Sequence, residues 1–123
     1  MSASPSTPVT ESLFQLGLND ALPISKEATT SRVVVNNDVL RTVIFTFDAG
    51  QQLTEHASPK AVVVTLLEGE MDFSIGERTE RMSAGDVIYL APGDRHALTA
   101  VSPCRMQLVM VDVDKAGTTT AAK

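Results

Sequence analysis

Short runs of alternating apolar and polar residues dominate the chain after residue 30. Residues 39–47 and 105–113 alternate with period two, as expected for strands that bury one face. Residues 61–67 form an apolar run that only Thr65 interrupts, and its many β-branched side chains favour a buried strand over a helix. Further strands are predicted at 32–35, 71–75, 81–82 and 87–90, with another beginning near His96. The pattern predicts no helix of any length after residue 30.

Turn-forming residues separate these runs at a regular spacing. Glycine, proline, asparagine and aspartate recur at 36–38, 50, 69, 76, 85–86 and 92–93. Strands that follow one another roughly every 8 to 12 residues between such turns are typical of antiparallel sandwiches and barrels. The sequence therefore predicts an all-β fold.

The length and composition predict one domain with two flexible ends. A chain of 123 residues with 43% hydrophobic content can build one core without a disulfide or metal. Residues 1–10 and 115–123 are mostly small and polar, so both segments are predicted to be disordered tails. Residues 11–30 are interpreted as an N-terminal arm, whose apolar residues fit either a short amphipathic turn or an extended segment. The barrel domain is then predicted to span residues 31–114.

The charge and the single cysteine exclude several partners. Fifteen acidic against ten basic side chains give a net charge of −5, the wrong sign for binding nucleic acid. No apolar run is long enough for a membrane span, and residues 1–10 lack the pattern of a signal peptide. Cys104 is the single cysteine, so no internal disulfide can form. We expect a cytoplasmic protein without nucleic-acid or membrane partners.

The two histidines are the main candidates for chemistry. His56 and His96 each lie beside a glycine-containing turn at the edge of a predicted strand. If the sheet makes these strands neighbours, the two imidazoles could converge on one transition-metal ion. The alternative from the residues alone is a pair of surface or hydrogen-bonded histidines at strand ends. Their spacing in the sequence does not decide between the two.

Two glycine-rich segments resemble the two motifs of the cupin family. GQQLTEH at residues 50–56, followed by Gly69, resembles the first motif, and GDVIYLAPGDRH at residues 85–96 resembles the second. Both histidines of the chain fall on motif histidine positions. The resemblance implies a double-stranded β-helix, or jelly-roll barrel, with its site inside the barrel. It also implies that His56 and His96 bind a metal and that the protein forms a homodimer.

The chain departs from the cupin ligand set of three histidines and one glutamate. Ser58 stands where the family's first motif carries a second histidine, and Val62 stands at the glutamate position. Because residues i and i+2 of a strand share a face, we expect Ser58 to point into the barrel beside His56, and Glu55 to point away. Ser58 and Val62 are therefore predicted pocket residues, and two of the four ligands are predicted to remain.

Two function classes follow from this reduced site. The first is a small cupin that binds a divalent transition metal (Zn, Fe, Mn, Ni or Cu) through His56 and His96 and binds or acts on a small organic molecule. Oxygenation, isomerisation and hydrolysis all stay open, because the fold does not dictate the chemistry. The alternative is a metal-free cupin that binds a small molecule, or a scaffold that dimerises, without catalytic activity.

Overall fold

A computed structural model describes residues 6–113 of the chain. After the short helix α1 (Leu18–Ala21), nine strands follow in order. They are β1 (Thr29–Asn36), β2 (Leu40–Phe47), β3 (Gln52–His56), β4 (Ala61–Glu68), β5 (Glu70–Ile75), β6 (Arg78–Ser83), β7 (Val87–Leu90), β8 (His96–Ala100) and β9 (Cys104–Val111). The predicted tails at 1–10 and 115–123 lie partly and wholly outside the described residues, respectively. In the described part of the first tail, the Thr7 amide donates to the Asn36 carbonyl.

The strands form two antiparallel sheets that face each other. One sheet has five strands in the order β1-β2-β9-β4-β7, and the other has four in the order β3-β8-β5-β6. The predicted all-β jelly-roll barrel is thus confirmed. The first strand is longer than predicted, because polar residues at its start also pair with β2, from Thr29 opposite Phe47 onwards.

The core lies between the inner faces of the two sheets. The apolar run of β4 alternates in burial, so Val62, Val64 and Leu66 point inward while Val63 and Thr65 are half-buried on the outer face. The inward side chains of the other strands complete one cluster, which includes Phe47, Met71, Phe73, Met82, Leu90, Leu98, Cys104 and Met106. Burial in this cluster removes apolar surface from water, the dominant stabilising contribution to folding.

Gly69 joins β4 to β5 at a point where no side chain fits. Its φ is +87°, and a Cβ atom there would lie 2.2 Å from the carbonyl oxygen of Pro103. That contact is far inside van der Waals distance, and a left-handed φ is costly for other residues. The glycine that closes the first motif is therefore required by the close approach of two backbone segments.

The N-terminal arm packs along the outside of the barrel. The amide of Gln15 donates to the carbonyl of Val34, and the buried guanidinium of Arg105 donates to the carbonyl of Leu22. Phe14 and Leu16 remain 88% and 78% exposed. In the described part of the chain, no helix has the length and apolar character needed to cross a membrane.

Candidate functional site

Antiparallel pairing brings the two histidines together. His56 ends β3 and His96 begins β8, and the two residues are direct partners across these strands, next to a register shift after Leu53. Their ring centroids lie 4.3 Å apart, with the ring planes inclined by 61°. The two imidazoles are thus adjacent, and they also lie at strand ends, so a shared metal ion stays a prediction.

Each imidazole is oriented by its own backbone. The distance from Nδ1 of His56 to the carbonyl oxygen of Thr54 is 2.8 Å, and Nδ1 of His96 lies 3.1 Å from the carbonyl oxygen of Asp94. A carbonyl oxygen can only accept, so in both rings the proton is on Nδ1. In its neutral form, each ring then has its lone pair on Nε2, which is the nitrogen left for a ligand. Metal-binding histidines are commonly oriented by this kind of hydrogen bond.

The histidine pair lines the solvent side of a small apolar cavity. His56 is exposed and His96 is half-buried. The cavity below them measures about 20 Å³ and is otherwise lined by Leu53, Phe73, Ala97, Leu98, Met106 and Leu108. The ring of Phe73 lies parallel to that of His96, with centroids 6.1 Å apart. A cavity of this size holds about one water molecule, so an organic ligand at the histidines would have to lie on the outer side of the pair.

The donor atoms at this site amount to two imidazole nitrogens. Within residues 6–113, no group of three or more histidine, cysteine, aspartate or glutamate side chains is close enough together to hold a metal ion. The adjacent Glu55 is engaged elsewhere, since its carboxylate lies 3.1 Å from Nε of Arg95 at the surface. Two adjacent imidazoles fit a transition ion chemically, but they leave most of its coordination positions to water or to a bound molecule.

Ser58 and Val62 are not among the residues that line the cavity beside the histidines. Because β3 ends at His56, strand alternation does not extend to Ser58, and its place in the pocket stays a prediction. The Ser58 hydroxyl accepts a hydrogen bond from the Lys60 amide, and its carbonyl accepts one from the Gly93 amide. Val62 is 3% exposed and packs in the core, where a carboxylate would need a partner. Ser58 therefore links the two loops that carry the motifs.

Cys104 is buried and donates to two carbonyl oxygens. Its Sγ lies 3.0 Å from the oxygen of Glu70 and 3.1 Å from that of Ser102. Burial raises the pKa of the Cys104 thiol, so the thiolate needed for nucleophilic chemistry is disfavoured. This fits the sequence interpretation of Cys104 as a small core residue.

A second inward-facing polar pair was not singled out from the sequence. Arg78 and Glu80 on β6 lie opposite Ile75 and Phe73, and so share the inner face of the sheet. They line a cleft of about 410 Å³ at the seam between β6 and β7, hereafter the seam cleft. The sequence could have indicated this placement, because side chains of a strand alternate and residues 78, 80 and 82 therefore share one face.

The sequence of the whole barrel identifies its family. A family model described as a cupin domain matches residues 43–112. The chain belongs to the cupin family. None of the curated proteins compared with this cupin matches it significantly.

Solved structures of similar fold agree with the family. A conserved protein of unknown function from Streptococcus pyogenes is 32% identical, with a TM-score of 0.75 over 91% of this cupin and 96% of that chain. A cupin superfamily protein from Desulfitobacterium hafniense is 16% identical, with a TM-score of 0.73 over 82% of this chain and 93% of that one. The DMSP lyase DddQ from Ruegeria pomeroyi is 19% identical, with a TM-score of 0.63 over 68% of this chain and 47% of that one. The last two likenesses show the fold alone.

Proposed function

We propose that this cupin binds a small organic molecule at a divalent transition metal held by His56 and His96. The observation that carries the proposal is the pair of adjacent imidazoles whose Nδ1 atoms both bond to backbone carbonyl oxygens. That arrangement leaves the Nε2 atom of each neutral ring as the one with a lone pair for a ligand. Imidazole nitrogen suits Zn, Fe, Mn, Ni and Cu alike, so the proposal covers all five ions.

The residues around the pair determine what a bound ion could do. When bound, the ion would supply Lewis-acid chemistry at its open coordination positions. Phe73 and the other apolar side chains beneath the rings limit water on the barrel side. His56, which is exposed, leaves the outer side accessible to a small molecule. An anionic group on that molecule would balance the charge that two neutral imidazoles leave on the ion.

Metal content is the test of this proposal. Protein purified without a His-tag or chelator is expected to carry a transition metal, or to take one up when Zn, Fe, Mn, Ni and Cu are offered, and the His56→Ala/His96→Ala double variant is expected to do neither. Elemental analysis measures both. Ser58→Ala is the matched control, since Ser58 lies two residues after His56 in the chain but its hydroxyl serves the loop. A folded wild-type protein that stays metal-free in all five ions would contradict the proposal.

The second candidate is a metal-free binding site, and the burial of Val62 favours it. The position at which the resemblance implies a glutamate holds an apolar side chain that is 3% exposed in the core. In this reading the two Nε2 atoms accept hydrogen bonds from a small molecule directly. The ligand would then raise the melting temperature equally with and without a chelator. A scaffold without a ligand would respond to neither metal nor small molecules.

We also propose that the protein is a cytoplasmic homodimer that uses its N-terminal arm of residues 11–30. Phe14 and Leu16 support this, because both are largely exposed on a segment that already follows the outside of the barrel. Large exposed apolar side chains that lie together often mark an interface. Phe14→Ser/Leu16→Ser is expected to convert a dimer into a monomer in light scattering. A wild-type monomer would contradict the proposal.

A further inference from the structure

We propose that the seam cleft binds a free α-amino acid with an apolar side chain. Arg78 would take its carboxylate, Glu80 its ammonium group, and the apolar wall its side chain. This inference goes beyond the metal proposal and does not depend on it, since none of the residues that carry it is a candidate metal ligand.

The topology leaves the seam open on one side and closes it at one end. β6 and β7 are edge strands of their two sheets and follow each other in the chain. The turn between them is fixed to β4, because the Gly85 amide donates to the Leu66 carbonyl and the Leu66 amide donates to the Asp86 carbonyl. The Asp86 carboxylate also accepts from the Ser83 amide. The seam therefore has one fixed end and one open side, as a binding cleft requires.

The cleft has the size and lining of a small-molecule site. Its volume is about 410 Å³, within the range of about 300–1,000 Å³ that is usual for ligand pockets. Its apolar wall comes from both sheets: Phe73, Ile75 and Met82 on one side and Val87 and Ile88 on the other. Arg81 and Asp86 also line the cleft, but Arg81 pairs with Asp72 and the Asp86 carboxylate accepts from the Ser83 amide. The cavity beneath the histidines, at about 20 Å³, is too small for any such molecule.

Two opposite charges interrupt a face that is otherwise apolar. Residues 78, 80 and 82 share the inner face of β6, and Met82 is buried there at 3% exposure. Only the third of these positions is buried, and β6 is an edge strand, where charged side chains are common at exposed positions. The side chains of Arg78 and Glu80 are 79% and 61% exposed on this face. An exposed surface pair contributes little to stability, so both charges can serve a ligand at little cost to the fold.

The geometry of the pair leaves donors and an acceptor for a ligand. Arg78 Nε donates to Glu80 Oε2 at 2.8 Å. This contact leaves the two terminal NH₂ groups of the guanidinium to bind a carboxylate, the geometry for which arginine is well suited. The second carboxylate oxygen of Glu80 is left to accept from an ammonium group.

The same pair selects for a zwitterion. A ligand with only a carboxylate would bring its negative charge next to Glu80, and a ligand with only an amine would bring its positive charge next to Arg78. Such unpaired like charges weaken binding. A molecule that carries both groups on one carbon satisfies both side chains at once. The apolar wall then favours an aliphatic or aromatic side chain over a polar one.

NMR titration of the full-length, ¹⁵N-labelled protein tests this directly. L-Leucine is compared with isocaproate, which lacks its ammonium group, and with isopentylamine, which lacks its carboxylate. L-Leucine is expected to cause saturable shifts in the amides of β5, β6 and β7, and the two analogues are expected to bind at least about tenfold more weakly. L-Phenylalanine and L-methionine extend the test to other side chains.

Variants separate recognition by the charge pair from general binding. Arg78→Gln and Glu80→Gln are each expected to weaken L-leucine binding by about tenfold or more. Glu77→Gln, in the adjacent turn, and Arg32→Gln, on β1, remove the same charges outside the cleft and are expected to leave binding unchanged. The His56→Ala/His96→Ala variant is expected to retain it, which keeps this test distinct from that of the metal site.

Three results would overturn the inference. The first is the absence of saturable shifts with all three amino acids. The second is binding of isocaproate or isopentylamine as tight as that of L-leucine. The third is L-leucine binding that is unaffected by Arg78→Gln and Glu80→Gln, or that is lost in the double histidine variant.

Discussion

The inner face of the four-stranded sheet carries two polar pairs that differ in how they are built. His56 and His96 come from two strands 40 positions apart in the chain and meet only because β3 pairs with β8. Arg78 and Glu80 are two residues apart on one strand and meet whether or not the barrel closes. The histidine pair therefore forms only when the barrel folds. The charge pair forms within one strand, and folding adds only the cleft beside it.

The histidine pair and Arg78 also lie in one row across the four-stranded sheet. His56, His96, Ile75 and Arg78 are successive partners across the four strands and so form one row. At about 4.8 Å between neighbouring strands, the backbones at His96 and Arg78 are about 10 Å apart. Ile75 and Phe73 on β5 separate them. Phe73 lines both the cavity beneath the histidines and the seam cleft.

Phe73→Ala should have the largest effect, because it removes the one side chain that both regions share. Phe73 is 3% exposed, and its truncation should lower the free energy of unfolding by about 3 kcal/mol or more. Urea denaturation measures this. Phe73→Leu, which keeps most of the volume, is the control and should cost less. An equally small loss in both variants would mean that Phe73 does not hold the two regions together.

Single histidine substitutions should have the next largest effect, and this effect should be confined to metal binding by the histidine pair. His56→Ala and His96→Ala should each weaken Zn²⁺ binding by about 100-fold or more, since each removes one of two donors. Calorimetric titration measures the affinity. Glu55→Gln, next to His56 but paired with Arg95 at the surface, should change it little. Unchanged affinity in either alanine variant would show that the imidazoles do not act together.

Arg78→Gln should leave stability nearly intact, in contrast to its effect on ligand binding. The ion pair is exposed, so its loss should change the free energy of unfolding by no more than about 1 kcal/mol. Urea denaturation of the ligand-free protein is the measurement. A much larger loss would assign the charge pair a structural role and remove the reason for treating it as a binding element.

The smallest effect should be an acid-dependent contribution from the outer face of the same hairpin. The side-chain hydrogen bond from Arg81 holds the pKa of the Asp72 carboxyl below its ordinary value of 3.8. Because this pKa is lower in the folded state than in the unfolded state, the ionised Asp72 carboxylate stabilises the folded protein above about pH 3.8. The contribution is lost as the pH falls through the folded-state pKa. The stability difference between wild type and Asp72→Asn should therefore shrink in acid. Urea midpoints measured against pH, with Asp38→Asn as control, test it; a difference that stays constant would contradict the assignment.

Strands and turns were predictable because burial follows the alternation of side chains. The run at 61–67 reads as a buried strand, and β4 spans Ala61–Glu68. The direction of the Ser58 side chain is less predictable, because alternation holds only within a strand and β3 ends at His56, so its place in the pocket stays a prediction. The seam cleft was not predictable at all. Local pattern places Arg78 and Glu80 on one face, but it does not say that the neighbouring sheet leaves that face open.

The hydrogen-bonded tautomers of the two histidines test the account most directly. Long-range ¹⁵N–¹H NMR of the imidazoles, recorded during a Zn²⁺ titration, reports the state of all four ring nitrogens. In the neutral form, both rings are expected to carry their proton on Nδ1, and both Nε2 signals are expected to shift together and saturate at one equivalent of Zn²⁺. Protons on Nε2, or Nε2 signals that do not respond to Zn²⁺, would contradict it.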